Sequence, residues 1–267
     1  MKTWNTARFA HLSRCAGQGG MAPQPSSAAS STTKNTERAL KKQNWKIYAF
    51  EFLSIFIAVI SAFALNNWND KRKNNIAESK ILTEILNGLE KDEIDVATNY
   101  KGHENGIISC RFWRNIINNE SQNLDSIGQY YLVLTRDFIS IQNTSGYETL
   151  KSRGFEIIGN DSLRAKIISL YEFDYQTLYK LEEEYDELQF QENYFFEINK
   201  MIAPNLKYDA KGNIIGIDLP LKLTAHERNI FLSYLWKIEV NRKFVMRFYD
   251  EVKVRINELQ EEIKAEL

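Results

Sequence analysis

The sequence predicts an all-α chain: a single N-terminal transmembrane helix continuing into an elongated helical bundle, with a small hairpin near 206–218. Three observations carry that expectation. The run Ile47–Leu65 is nineteen residues long with Glu51 as its one formal charge, close to the ~20 apolar residues that cross a hydrocarbon core of roughly 30 Å. After Trp68, apolar residues recur mostly at helical spacings, which puts them on one face with charged residues opposite. The roughly 200 residues beyond the run suffice for a sizeable core.

Residues 1–43 read as a disordered leader. Gly17, Gly19 and Gly20, then Pro23 and Pro25, then the Ser/Ala/Thr stretch from Ser26 to Thr33 hold too little apolar surface to offset the entropy of ordering. No apolar core precedes a cleavage site there, and Arg14 stands where a lipoprotein box needs a small residue before Cys15. Met21 is an alternative start.

Residues 44–68 read as the transmembrane helix. The small residues in Ser61-Ala62-Phe63-Ala64 offer a cleavage alternative, but the run exceeds an ordinary signal core and leads straight into a helical pattern. Asn66, Asn67, Trp68 and Asn69, then Lys71-Arg72-Lys73, close it, because tryptophan and cations anchor a helix at the interface. Glu51 is either a tolerated interfacial residue, about one turn inside the run, or a contact for helix association beside Ser54, Ala58 and Ser61.

Residues 69–267 read as an extracytoplasmic helical domain. Ile76, Ile81, Leu82, Ile85, Leu86 and Leu89 form the first stripe, Gly88, Gly102 and Gly106 weaken the helix locally, and a bend or short turn is expected around Tyr100–Gly106. A second stretch runs from Ile107 through Trp113 to Ile117, and a short segment covers Ile127 to Ile141. Ser145 and Glu148 have capping-box spacing and predict a helix from Gly146 to Arg153 stopped by Gly154. Asn160 or Asp161 then caps a helix of about 40 residues ending before Pro204, a length that points to a coiled coil or a long antiparallel pair. Asp209-Ala210-Lys211-Gly212-Asn213 is the hairpin turn, and Thr224 with Glu227 opens the last helix.

The formal charge of −1 conceals an asymmetry. Residues 1–46 hold eight Lys/Arg against Glu37, a balance of +7, whereas Asn66 onward carries 26 basic and 33 acidic residues, or −7. Lys41, Lys42 and Lys46 favour a cytoplasmic N-terminus, and Lys71-Arg72-Lys73 oppose it. The acidic excess argues against nucleic-acid binding, which needs a concentrated basic footprint.

Chemistry-bearing motifs are sparse. His11, His103 and His226 have no metal-ligand spacing, no cofactor fingerprint is present, and Cys110 reads as a small buried hydrophobe. Ser145 is explained by capping, so no nucleophile stands out. Glu182, Glu183, Asp186 and Glu187 form an acidic run on the long helix, read as a solvated face with a docking surface as the sharper alternative. An enzyme using Glu172, Glu184 or Glu197 is the weakest of the function classes, since no metal set or nucleophile accompanies them. The expectation is a non-enzymatic scaffold or sensor without cofactor, whose partners are the lipid bilayer and a second copy or another membrane protein; an accessory subunit docking through the acidic face is the alternative.

Glu51, the stretch Phe52 to Leu65, and Asn66-Asn67-Trp68-Asn69 resemble an uncharacterised family of single-span membrane proteins found mainly in Bacteroidota. Tyr147–Gly154 and Asn160–Ile168 are similar to that family's other recurring segment. The resemblance implies an inner-membrane protein of a Gram-negative cell with its bulk in the periplasm, and it brings no activity to carry over. It also implies roles for Glu51 and the asparagine-tryptophan exit, whose amides and indole N–H suit headgroups and terminal carbonyls. The long leader departs from the family's pattern.

Overall fold

Residues 32–267 are described by the structure, a computed structural model, with side chains from residue 45 onward. Helix α1 spans Thr32–Ile117. It therefore starts well before position 44, within the expected leader, where Glu37, Arg38, Ala39, Leu40 and Lys41 are strong helix formers. The rest of that leader lies outside the described residues. The chain divides between Asn67 and Trp68 into two units.

In the first unit, α1 is long and apolar enough to cross a membrane, and no residue of its most apolar window is covered by protein. Phe52 and Phe56 stack one turn apart, and Ser54 Oγ donates to the Glu51 carbonyl at 2.8 Å.

The second unit is a bundle built on the rest of α1 and on α7 (Ala225–Glu266). Buried positions on α7 alternate by four and three: Phe231, Leu235, Ile238, Arg242, Val245, Tyr249, Val252, Ile256, Leu259 and Ile263. The facing stripe of α1 keeps the same rhythm through Leu82, Ile85, Leu89, Asp92, Val96, Asn99, His103, Gly106, Cys110, Trp113 and Ile117. Such alternation is the seam of two helices packed side by side. Each fully buried Leu or Ile contributes roughly 1.5–3 kcal/mol, and the seam is apolar except where Asp92, Asn99, His103 and Arg242 interrupt it.

Between these helices the chain forms α2 (Ile127–Leu134), α3 (Ser145–Arg153), α4 (Asp161–Ser169), α5 (Tyr175–Glu183) and α6 (Phe190–Ile202). Asn160 caps α4, its Oδ1 accepting from the Ser162 and Leu163 amides at 3.1 and 3.2 Å. The hairpin is present: β1 (Leu206–Tyr208) pairs antiparallel with β2 (Ile214–Ile217), and Gly212 takes the turn's positive φ of 85°. Thr224 Oγ1 accepts from the Glu227 amide and Glu227 returns the bond, so the capping box of α7 forms.

Three expectations need correction. There is no turn at Tyr100–Gly106: α1 stays helical through it, because Gly102 and Gly106 admit neighbours rather than break the helix. A Cβ on Gly102 would lie 2.3 Å from the Phe138 ring, and one on Gly106 2.3 Å from Arg242 Nε. Within the short segment Ile127 to Ile141, α2 ends at Leu134, and residues 135–144 then run without regular structure. The capping box at Ser145 is not formed; Thr144 precedes α3, and Gly154 with φ 99° ends it as expected. The helix of about 40 residues is broken by the stretch from Glu184 to Gln189, and its first half carries a π-helical turn at Leu170–Asp174.

Candidate functional site

The irregular segment 135–144 organises a band of buried polar groups across the middle of the bundle. A backbone without helix or strand partners must find them elsewhere when it is covered. Here carboxylates supply them. Asp92 of α1 accepts from Asn143 N and Nδ2 at 2.8 and 2.6 Å and from Tyr175 OH at 2.8 Å. Asp95 accepts from Ile141 N at 2.8 Å, and Asp137 takes the Phe190 amide at the start of α6 at 2.7 Å. Glu182 at the end of α5 accepts from Ser140 N at 3.0 Å, from Ser140 Oγ, and from the Tyr249 hydroxyl.

Arg242 is wholly buried at the band's centre. Its Nη2 donates to the carbonyls of Val133, Leu134 and Arg136 at 3.3, 3.1 and 2.9 Å, so a cation closes the negative end of α2. Nη1 donates to His103 Nδ1 at 3.1 Å, and the Phe190 ring lies 4.2 Å from the guanidinium carbon. Because an arginine cannot accept, His103 carries its proton on Nε2, which has no partner among the described residues.

Burial governs the titration of this band. It pushes His103 well below its usual 6.5, with the Arg242 charge adding to the effect. Glu182 rises to about 7, desolvation outweighing its bonds from Tyr249 and Ser140. Arg242 falls only to about 10 and stays cationic at neutral pH. Cys110, buried as the sequence implied, is pushed up to about 12, far from a reactive thiolate.

In front of the band lies an open groove of about 870 Å³ between α1 and the stretch from α2 to Ile139. Ile94, Leu132 and Ile139 line it while 69%, 55% and 45% exposed, and Lys101, Arg136, Asn105 and Gln129 supply polar groups. Phe138 belongs to both features, with its ring 5.3 Å from that of His103 and an edge in the groove. His103 is held between Arg242 and the rings of Phe138 and Tyr249.

Other residues singled out by sequence are dispersed. Glu51 lies exposed on α1, as do Asn66, Asn67, Trp68 and Asn69. Trp68, Lys71, Arg72, Asn75 and Ile76 border one hollow along that helix. The acidic run is not one helix face. Glu182 is buried in the polar band, Glu183 ends α5, and Asp186 and Glu187 follow the break, where Glu187 pairs with Lys237 at 2.7 Å. Glu182 therefore leaves the proposed docking set, since its carboxylate faces inward.

Glu172 is tied to Tyr147 and Lys151, and Glu197 to Lys200; His226 is exposed. Among the described residues no group of three or more His, Cys, Asp and Glu is placed to hold a metal ion. The sequence reading missed Arg242, His103, Asp92 and Ser140. One signal was present: the α7 stripe lacks an apolar residue between Ile238 and Val245, and Arg242 fills that gap.

Fold and site together define a largely helical protein with, among the described residues, one helix long and apolar enough for a membrane span and a bundle centred on a buried polar band. No family model, curated protein or solved structure matches the chain.

Proposed function

We propose that this chain is a single-pass membrane protein that works as a helical scaffold or sensor, without enzymatic activity. One observation carries the reading: α1 presents bare apolar side chains such as Phe50, Phe52 and Phe63, 74%, 71% and 68% exposed, on the helix that also supplies the seam of the bundle. Water would not tolerate that surface, whereas a bilayer covers it. On this reading Trp68 and Lys71-Arg72-Lys73 sit at the interface, the N-terminus is cytoplasmic, and the bundle lies in the periplasm of a Gram-negative cell. The test is extraction of native membranes with alkaline carbonate, followed by protease treatment of spheroplasts. Retention in the pellet and cleavage of the bundle from outside are expected; release into the supernatant overturns the anchor, and protection of the bundle overturns its orientation.

A second reading is an accessory subunit that docks another membrane protein or a second copy. The exposed Ile94, Leu132 and Ile139 favour the groove as its contact in place of the acidic run. Affinity purification in mild detergent should then recover a stoichiometric partner, and Leu132→Glu should release it.

A further inference from the structure

The π-helical turn Leu170–Asp174 joins α4 to α5, and turns of this kind recur where a helix is distorted to place a functional side chain. Asp174 is the residue it places. Its carboxylate is 8% exposed, Oδ1 meets Arg255 Nε at 3.2 Å, and Oδ2 has no hydrogen-bond partner. A buried carboxylate oxygen left unpaired is costly, and native structures rarely leave one without cause.

Asp174 lines a cleft of about 270 Å³ between the α4–π-turn segment and α7. The cleft falls just below the ~300–1,000 Å³ typical of small-molecule sites and holds about nine waters at ~30 Å³ each. That suits a molecule of amino-acid size. Its wall is charged in both senses: Asp174 and Glu258 are acidic, Lys166 and Arg255 basic, and Ser169 adds a hydroxyl. Lys166 reaches Glu262, and Arg255 meets Asp174 through Nε, one of the five N–H donors of a guanidinium. A ligand with a single charge would leave one sign of this wall unanswered. A ligand with both answers it.

We propose that the cleft at the π turn binds a small zwitterion, an α-amino acid or a molecule of that size, with its ammonium group on Asp174 and Glu258 and its carboxylate on Arg255. The site does not depend on membrane insertion, so it stands or falls apart from the anchor.

Isothermal titration of the full chain in detergent tests it, with the twenty common amino acids and glycine betaine as probes and methylammonium and acetate as single-charge controls. At least one primary-amine zwitterion is expected to bind saturably, and neither control to displace it. Asp174→Asn keeps the shape and removes the charge, and should weaken binding by about tenfold or more. Ala165→Leu, which fills the cleft from an exposed position of α4, should abolish binding while the thermal unfolding curve stays in place. The proposal is overturned if no zwitterion binds the unmodified chain, if methylammonium binds as tightly as the best amino acid, or if Asp174→Asn leaves the affinity unchanged.

Discussion

Arg242 shows how one side chain can hold several elements that share no backbone bonds. It closes α2, engages His103 of α1 and lies under Phe190 of α6. Arg242→Met keeps the bulk and removes the donors, leaving three carbonyls and an imidazole nitrogen unpaired in the interior. Urea unfolding should show a loss of about 3–5 kcal/mol, the scale for stripping the partner from a buried polar group. Gly106→Ala is a second probe. Alanine favours a helix by about 1 kcal/mol over glycine, yet its Cβ would fall 2.3 Å from Arg242 Nε, inside a side chain with no room to retreat. A net loss of roughly 2 kcal/mol is expected, in the range of overpacked cores.

Glu182 adds a pH dependence of definite sign. Its folded value of about 7 exceeds the ordinary 4.5, so the folded chain holds a proton that the unfolded chain releases. Stability contributed by Glu182 is therefore greatest at low pH and falls as pH rises from about 4.5 to about 7, by on the order of 3 kcal/mol. His103 works the other way, since its lowered folded value makes stability complete above 6.5 and lost as pH drops below it. Unfolding of Glu182→Gln at pH 5 and pH 8 should separate them: relative to the unmodified chain, the variant gains stability at pH 8. No difference between the two pH values would contradict the buried assignment. These residues were hard to read in the sequence because Glu182 sits in a run of carboxylates that look alike until the fold turns one inward.

At the level of elements, what the chain announces locally is what the sequence disclosed. The Asn160 cap, the Thr224–Glu227 box, the turn at Asp209–Asn213 and the stripes of α1 and α7 all rest on residues within a few positions of one another. The π turn at 170–174 and the break at 184–189 do not. Asp137 provides the N-terminal bonds of α6 from more than fifty residues upstream, so nothing near Phe190 signals a new helix start. Asp137→Ala should cost about 1 kcal/mol, as for loss of an N-cap, and the Phe190 and Gln191 amides should exchange faster with deuterium while those of α7 do not. The candidate site was illegible for the same reason: segment 135–144 joins groups 42 to 51 residues apart, and only the folded chain brings them together.

For the whole molecule, the core belongs to the unit from Trp68 to Leu267, and the apolar window of α1 contributes nothing to it. A chain starting at Trp68 is therefore expected to be soluble without detergent and to unfold cooperatively, monitored by circular dichroism. Aggregation or gradual melting would show that the span contributes to the bundle's stability.

The matched interruptions in the two long stripes fix how α1 and α7 can lie against each other. Seven residues either side of His103 stand Val96 and Cys110, so a slip of one heptad, about 10 Å, would set Arg242 against valine, which cannot accept from its Nη1, or against a thiol, which accepts only weakly. The apolar layers alone would tolerate that slip; the arginine does not. The His103–Arg242 bond therefore selects one register of α1 against α7 out of those the apolar layers allow.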